Sequence, residues 1–281
     1  MEIDTLIFSG ASSKAIIFLG FLNYLIEERI IDKELNNIKK IYCVSSSYLF
    51  MVTVILLKYD YEYIKEEIFN FDFNEMLNIN DLSLKSLIDN YGFINYNKNH
   101  IYVKKILKEK YNIDKMSLLK LYKISGIHIV VKAINVSKQK VEYIDHINNP
   151  KMNILKLIQM TTCIPLLFKP TKYKGYLYLD GGLCGNCPIE ENESDKYLCI
   201  NLVKTEDNYE INNVFDFIIK GWEMYDPNIL LKYDNNRTIL INVEKLCIGV
   251  TDFNISKEQK KIMLDLGYNI TKEHFTNLQY S

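Results

Sequence analysis

Within its first 58 residues the chain runs twice from a β-rich segment through small residues into a helical pattern, and this repetition constrains the fold more than any other feature. Ile3 to Phe8 is apolar and β-rich, Ser9-Gly10-Ala11-Ser12-Ser13 is a run of small residues, and Ala15 to Ile30 carries apolar side chains at helical spacing. Ile38 to Val44, Ser45-Ser46-Ser47 and Tyr48 to Lys58 then repeat the pattern. Parallel neighbours need a crossover connection, most often a helix. Two such units in succession therefore predict an α/β protein with a mainly parallel central sheet flanked by helices.

The remainder fits that frame. Residues 60–123 read as a mainly helical insertion with Asn-rich breaks near 78–81 and 95–99, placed over one end of the sheet. Gly126 to Val136 and Val141 to Ile144 are β-branched runs joined by Ser137-Lys138-Gln139-Lys140, which suits a hairpin. A helix over 153–160, a strand ending at Leu179, strands at 197–203 and 238–243, a helix over 213–232 and a C-terminal helix from Ser256 complete the prediction. No Pro/Gly/Ser-rich linker divides the chain, so a single domain over 1–281 is expected, with a core over about 3–203 and a C-terminal helical extension over about 211–281.

Charge and cysteine usage narrow the function classes. A formal net charge of −1 lacks the basic excess that nucleic-acid binding requires. Residues 98–123 nevertheless hold eight lysines against Glu109 and Asp114. The stretch reads as a solvated helix face with Ile101, Ile106 and Leu107 as its core stripe, or as a peripheral contact with an anionic lipid surface. The opening Met-Glu-Ile-Asp-Thr is acidic and lacks the basic region of a secretory signal, which predicts an intracellular, cytoplasmic protein. Tyr48 to Leu57 is about half the roughly 20 apolar residues of a membrane-spanning helix and reads as a buried one. The six cysteines are then reduced thiols, and Cys184-Gly-Asn-Cys187 has the spacing of a redox pair or half a zinc site, without a second CxxC or His pair to complete it.

Ligands of open α/β sheets bind beyond the carboxyl ends of the strands, which here are the two serine-bearing turns. A serine between strand and helix is pushed outward, and the helix N-terminus favours negative charge there, as in the nucleophile elbow GxSxG. The five aligned residues are Cys43-Val44-Ser45-Ser46-Ser47, without either glycine, and a plain helix cap is the competing reading. Backbone amides of the first turn are suited to holding an oxyanion, and Lys14 would add positive charge. In Tyr178-Leu179-Asp180-Gly181-Gly182 a strand delivers a carboxylate into an uncrowded turn. Such a group within reach of a serine hydroxyl is a base; the alternative is an ordinary Asp-Gly turn.

Taken in order, these segments resemble the patatin-like phospholipase family of bacterial and viral type, over most of the chain. Leu6 to Ala15 stands where the family has a strand and its Gly-Gly-Gly-x-Arg/Lys-Gly oxyanion loop, and Ile41 to Ser47 at its elbow. Thr161-Thr162-Cys163-Ile164-Pro165-Leu166-Leu167-Phe168-Lys169-Pro170 is similar to the family's Ser/Thr, Ile-Pro and Phe-x-Pro segment. Asp180-Gly181-Gly182 with Asn186-x-Pro188 looks like its Asp-Gly-Gly/Ala turn and following Asn-x-Pro, and Asp252-Phe253 through Gly267-Tyr268 also looks like such members. The resemblance implies a lipid acyl hydrolase with Ser45 as nucleophile, Asp180 as base, and Gly10, Ala11, Ser12 and Lys14 around the oxyanion. It implies no metal and no cofactor, and a lipid or membrane-surface substrate. Glycine is absent from family positions 11, 12, 15, 43 and 47, which raises the alternative of a catalytically silent protein of the same fold that binds lipid or another partner. A thiol-redox or metal protein built on Cys184 and Cys187 is the third reading.

Overall fold

The computed structural model of the chain describes residues 1–76, 84–94, 98–203, 233–249 and 252–279, with the single positions 211, 217, 218 and 221. β1 (Thr5–Phe8) leads through a 3₁₀ turn at Ser12–Ala15 into α1 (Ile16–Glu27), and β2 (Lys40–Val44) leads directly into α2 (Ser46–Leu56). The two units are those legible in the sequence. All of β1 is buried, and so is β2 beyond Lys40, because both faces are covered: Leu6, Phe8, Ile41 and Cys43 join the core of the helices, while Ile7 and Tyr42 pack with Cys187 and Ile189 on the other face, so these strands read as continuous apolar runs rather than alternating ones. α2 is apolar all round and correspondingly buried along most of its length.

The insertion begins with α3 (Tyr61–Asn70), whose N-cap Asp60 accepts from the Tyr63 amide. α4 (Leu84–Asn90), a short strand β3 (Gly92–Ile94), α5 (Ile101–Tyr111) and α6 (Leu118–Ser125) follow, the last capped by the Ser117 hydroxyl and closed by Gly126 at φ 72°. Of the predicted breaks, 78–81 lies outside the described residues, as does 95–97 of the second. β3 is a strand that the mainly helical reading of the insertion does not include. At three residues it carries no period of its own, and it exists by pairing in parallel with β6 (Leu166–Phe168).

β4 (His128–Asn135) and β5 (Lys140–Ile144) form the expected hairpin, and α7 (Ile154–Thr161) follows. Beyond β6 come β7 (Thr171–Tyr173), β8 (Tyr176–Asp180), β9 (Tyr197–Val203), β10 (Thr238–Asn242) and α8 (Lys257–Gln279). The predicted helix over 213–232 lies almost wholly outside the described residues. The main sheet runs β10-β9-β1-β2-β4-β8-β7, parallel from β10 to β4, with β5, β7 and β8 antiparallel.

One detail of register positions the site. β5 occupies one edge of β4 from Val131 to Asn135, so β2 and β8 share the other edge. β2 pairs along it as far as Val44 opposite Lys132, and β8 takes over at the next residue, with Asp180 opposite Ala133. The end of β2 and the end of β8 therefore meet head to head along a common ruler. The residue after Val44 is Ser45.

Candidate active site

Ser45 sits at φ 60° and ψ −134° between β2 and α2, in the half of backbone space that glycine enters freely and other residues enter at about 1–3 kcal/mol. The surrounding hydrogen bonds hold it there. Its amide donates to Thr161 Oγ1 at 2.8 Å, and that hydroxyl donates to the Lys132 carbonyl at 3.0 Å. Ser47, in place of the elbow's second glycine, is fully buried. Its Oγ donates to the Val44 carbonyl at 2.7 Å and accepts from the Val44 amide at 2.9 Å, closing the turn with a side chain.

Asp180 ends β8 with its carboxylate 5% exposed. Ser45 Oγ donates to Asp180 Oδ2 at 2.6 Å, and the Gly182 amide donates to Oδ1 at 2.9 Å. Gly181 is required at this turn because a Cβ there would lie 2.4 Å from the Lys132 carbonyl oxygen, a backbone atom that has nowhere to go. Beneath the turn the buried Lys132 ammonium pairs with Glu190 and donates to the Gly185 carbonyl at 2.9 Å, fixing the loop that follows Asp180.

Burial disfavours the ionised carboxylate and raises the Asp180 pKa to about 6, against the smaller opposing pull of its hydrogen bonds from Ser45 and Gly182. Two pH effects of opposite sign are expected. A base must be ionised, so if Asp180 activates Ser45 any turnover should fall as pH drops through about 6. The folded pKa lies above the ordinary aspartate value, so this group's contribution to stability is complete below that ordinary value and is lost as pH rises through about 6. Asp180→Asn, a neutral isostere, is expected to stabilise the protein by roughly 2–3 kcal/mol at pH 8 and by close to nothing at pH 4, read from denaturant melts at the two pH values.

The predicted oxyanion residues divide. Gly10 is corrected as an amide donor, since its N–H is taken by the Asn186 carbonyl at 2.9 Å. Its service is steric: a Cβ would stand 2.3 Å from Asn186 Oδ1 and 3.4 Å from Ser45 Cβ. Lys14 is 4% exposed, and its Nζ donates to the carbonyls of Ile248 at 3.1 Å and Gly249 at 3.4 Å, which ties the turn before α1 to the C-terminal segment. Ala11 is buried at φ −139°, and Ser12 takes the positive φ of 52° and borders the cavity beside Ser45. The sequence reading missed Thr161, Ser47 and Asn186 as positioning residues, although Thr161 and Asn186 stand inside motifs it had singled out.

A cavity of about 110 Å³ opens at Ser45. Ser46, Leu49, Phe50 and Thr53 line it from one face of α2, at the three- and four-residue spacing that keeps side chains on a single stripe. Phe71, Tyr102 and Phe168 close it from the insertion and from β6, and Phe253 from the C-terminal segment. That last segment is held by Lys14 and by Ser13 Oγ, which donates to the Asp252 carbonyl at 2.9 Å. Elsewhere, Cys184 is exposed while Cys187 is buried with its sulfur 3.4 Å from that of Cys199, so the two thiols of the CxxC face different surroundings. No group of three or more His, Cys, Asp or Glu side chains suited to a metal occurs among the described residues, and no described helix is long and apolar enough to cross a membrane.

Comparison with known proteins shows the fold and the family. The chain is 25% identical over 293 residues to protein R571 of Acanthamoeba polyphaga mimivirus, covering 99% of this chain and 95% of that one. It is 28% identical over 191 residues to the "Probable lipid hydrolase 463L" of Invertebrate iridescent virus 6, covering 66% of this chain and 62% of the relative. Among solved structures, VipD from Legionella pneumophila superposes with a TM-score of 0.65 at 17% identity, over 99% of this chain and 67% of VipD. The ExoU effector of Pseudomonas aeruginosa gives 0.53 at 12% identity, over 99% of this chain and 53% of ExoU. The fold is thus shared with chains longer than this one. A family model described as patatin-like phospholipase matches residues 6–192, the stretch that holds both turns, the elbow and the Asp-Gly-Gly motif, and the chain belongs to that family.

Proposed function

We propose that the protein is a lipid acyl hydrolase that cleaves fatty-acyl esters through a Ser45–Asp180 dyad. The observation that carries this reading is the 2.6 Å hydrogen bond to a buried carboxylate from the Oγ of Ser45, a residue that lines an apolar cavity. Asp180 Oδ2 takes the Ser45 proton as Oγ attacks the ester carbonyl. The backbone amides of Ala11 and Ser12 receive the charge on the carbonyl oxygen, aided by the positive end of α2. The carbon–oxygen bond to the alcohol breaks, and the alcohol or lysolipid leaves with the proton from Asp180. Water then attacks the acyl-serine, giving one proton to Asp180, which returns it to Ser45 as the fatty acid is released. A base with a pKa near 6 matches this cycle at neutral pH, being mostly ionised yet basic enough to share a proton.

The cavity along α2 is assigned to the acyl chain, since its walls are almost wholly apolar. Leu49→Trp, one α2 turn beyond the serine, is expected to fill it. The ratio of kcat/KM for long-chain over short-chain esters should fall about tenfold or more, with short-chain turnover retained. The test of the reading as a whole is release of fatty acid from phospholipid and from simple fatty-acyl esters by purified protein. No release from any of them sinks it.

A further inference from the structure

We infer that α4 and the head of α5 form a docking surface for an anionic lipid bilayer, on the side of the molecule where α5 lines the acyl cavity. This rests on the proposed lipid acyl hydrolase activity for its purpose, although not for its test. Leu84, Ile88 and Tyr91 are 71%, 75% and 65% exposed and recur at four- and three-residue spacing, so they form an apolar stripe facing solvent, the reverse of an ordinary core-facing helix. Ile101 at the head of α5 is 49% exposed. The opposite side of each element is satisfied inside the protein: Ser86 Oγ donates to the Gly92 carbonyl at 2.8 Å, while Val103, Ile106 and Leu107 are buried. The outward apolar face is therefore left over after the elements have packed.

The surrounding charge selects the partner. Lys85 and Lys104 are exposed beside these side chains and make no ion pair among the described residues, and Lys169 lies next to α4 with Nζ donating to Asn90 Oδ1 at 2.8 Å. Asp89 of α4 is exposed as well. Apolar side chains that enter the interface, ringed by lysines that meet acidic headgroups, are the two attractions a peripheral membrane surface combines. Position supplies the remaining argument. β3 follows α4 and pairs with β6 so that Ile94 faces Phe168, a wall of the cavity, and Asn99 and Tyr102 line the same cavity from the head of α5. The head of α5 thus borders the acyl site directly and α4 is tied to it through β3 and β6, so docking would bring a lipid tail near the cavity without a long transfer through water.

The experiment uses full-length Ser45→Ala protein and co-sedimentation with vesicles of phosphatidylcholine alone or with phosphatidylserine. Stronger binding to the mixed vesicles is expected. Leu84→Ser/Ile88→Ser and Lys85→Glu/Lys104→Glu should each weaken it about tenfold, with unchanged circular dichroism. In the Ser45 background the same four positions should leave hydrolysis of a water-soluble short-chain ester unaltered. Equal vesicle binding by parent and variants overturns the proposal, as does a parent that binds neither vesicle. A dimer split by the Leu84/Ile88 change, with vesicle binding intact, would assign the stripe to a second copy of the chain and overturn it equally. Absence of turnover on the soluble ester by the parent refutes the catalytic reading alone, because the sedimentation arms do not depend on it.

Discussion

Ser45→Ala is expected to lower ester hydrolysis by about 10⁴- to 10⁶-fold, and Asp180→Asn by about 10²- to 10⁴-fold, when kcat is measured under saturating substrate at pH 8. The first loss is larger because no other group forms the covalent intermediate, whereas water or a neighbouring carbonyl partly substitutes for a missing base. The double variant should lose little more than Ser45→Ala alone, since the two side chains act as one unit across a 2.6 Å hydrogen bond. Stability separates this loss from unfolding. Asp180→Asn removes a carboxylate whose ionisation burial opposes, so the crippled variant should melt later than the parent at pH 8. Such an opposition between stability and activity is expected where a fold holds a group in a state it does not favour.

The second large effect lies far from the chemistry. Gly20→Ala and Gly267→Ala are each expected to destabilise the protein by roughly 1–3 kcal/mol, although alanine in an exposed helix position stabilises by up to about 1 kcal/mol. α8 packs closely against α1 through these two glycines. A Cβ on Gly20 would lie 2.0 Å from the Leu264 carbonyl oxygen, and one on Gly267 would lie 2.0 Å from the Ile17 carbonyl oxygen. Both obstacles are backbone atoms in helices, so relief requires the helices to separate. Separation also reaches the site. Lys260 of α8 donates to the Phe71 carbonyl at 2.7 Å, Phe71 lines the cavity, and α1 begins at the turn that holds Ser12. Chemical denaturation curves for the two alanine variants check the prediction; unchanged or increased stability would mean that the helices do not meet at these residues.

The parallel centre of the fold was legible because each of its first two strands and helices carries its own signal: an apolar run, a cluster of small residues, then a helical stripe. Ser45 and Asp180 were legible as candidates for the same reason, each standing where a strand ends. Their meeting was not. It follows from β8 taking over the edge of β4 one residue beyond Val44, a register fixed by long-range pairing that no local pattern encodes. β3, β6 and β7, at three residues each, are too short to show a period. Gly10 and Lys14 were assigned by position in a motif, while their partners, Asn186 and the 248–249 carbonyls, lie well over a hundred residues away in sequence. The missing elbow glycine had an answer within reach: Ser47 bears a hydroxyl able to bond the backbone three residues earlier, as serine commonly does in turns.

If Ser45 is a nucleophile activated by Asp180, a fluorophosphonate should label it covalently, because the probe reacts with an activated serine whether or not the natural lipid is known. One adduct per chain is expected, mapped by mass spectrometry to the peptide containing Ser45, abolished by Ser45→Ala and slowed by Asp180→Asn, with a rate that falls as pH drops through about 6. An unlabelled protein, or a label on another residue that persists in Ser45→Ala, would contradict that role for Ser45.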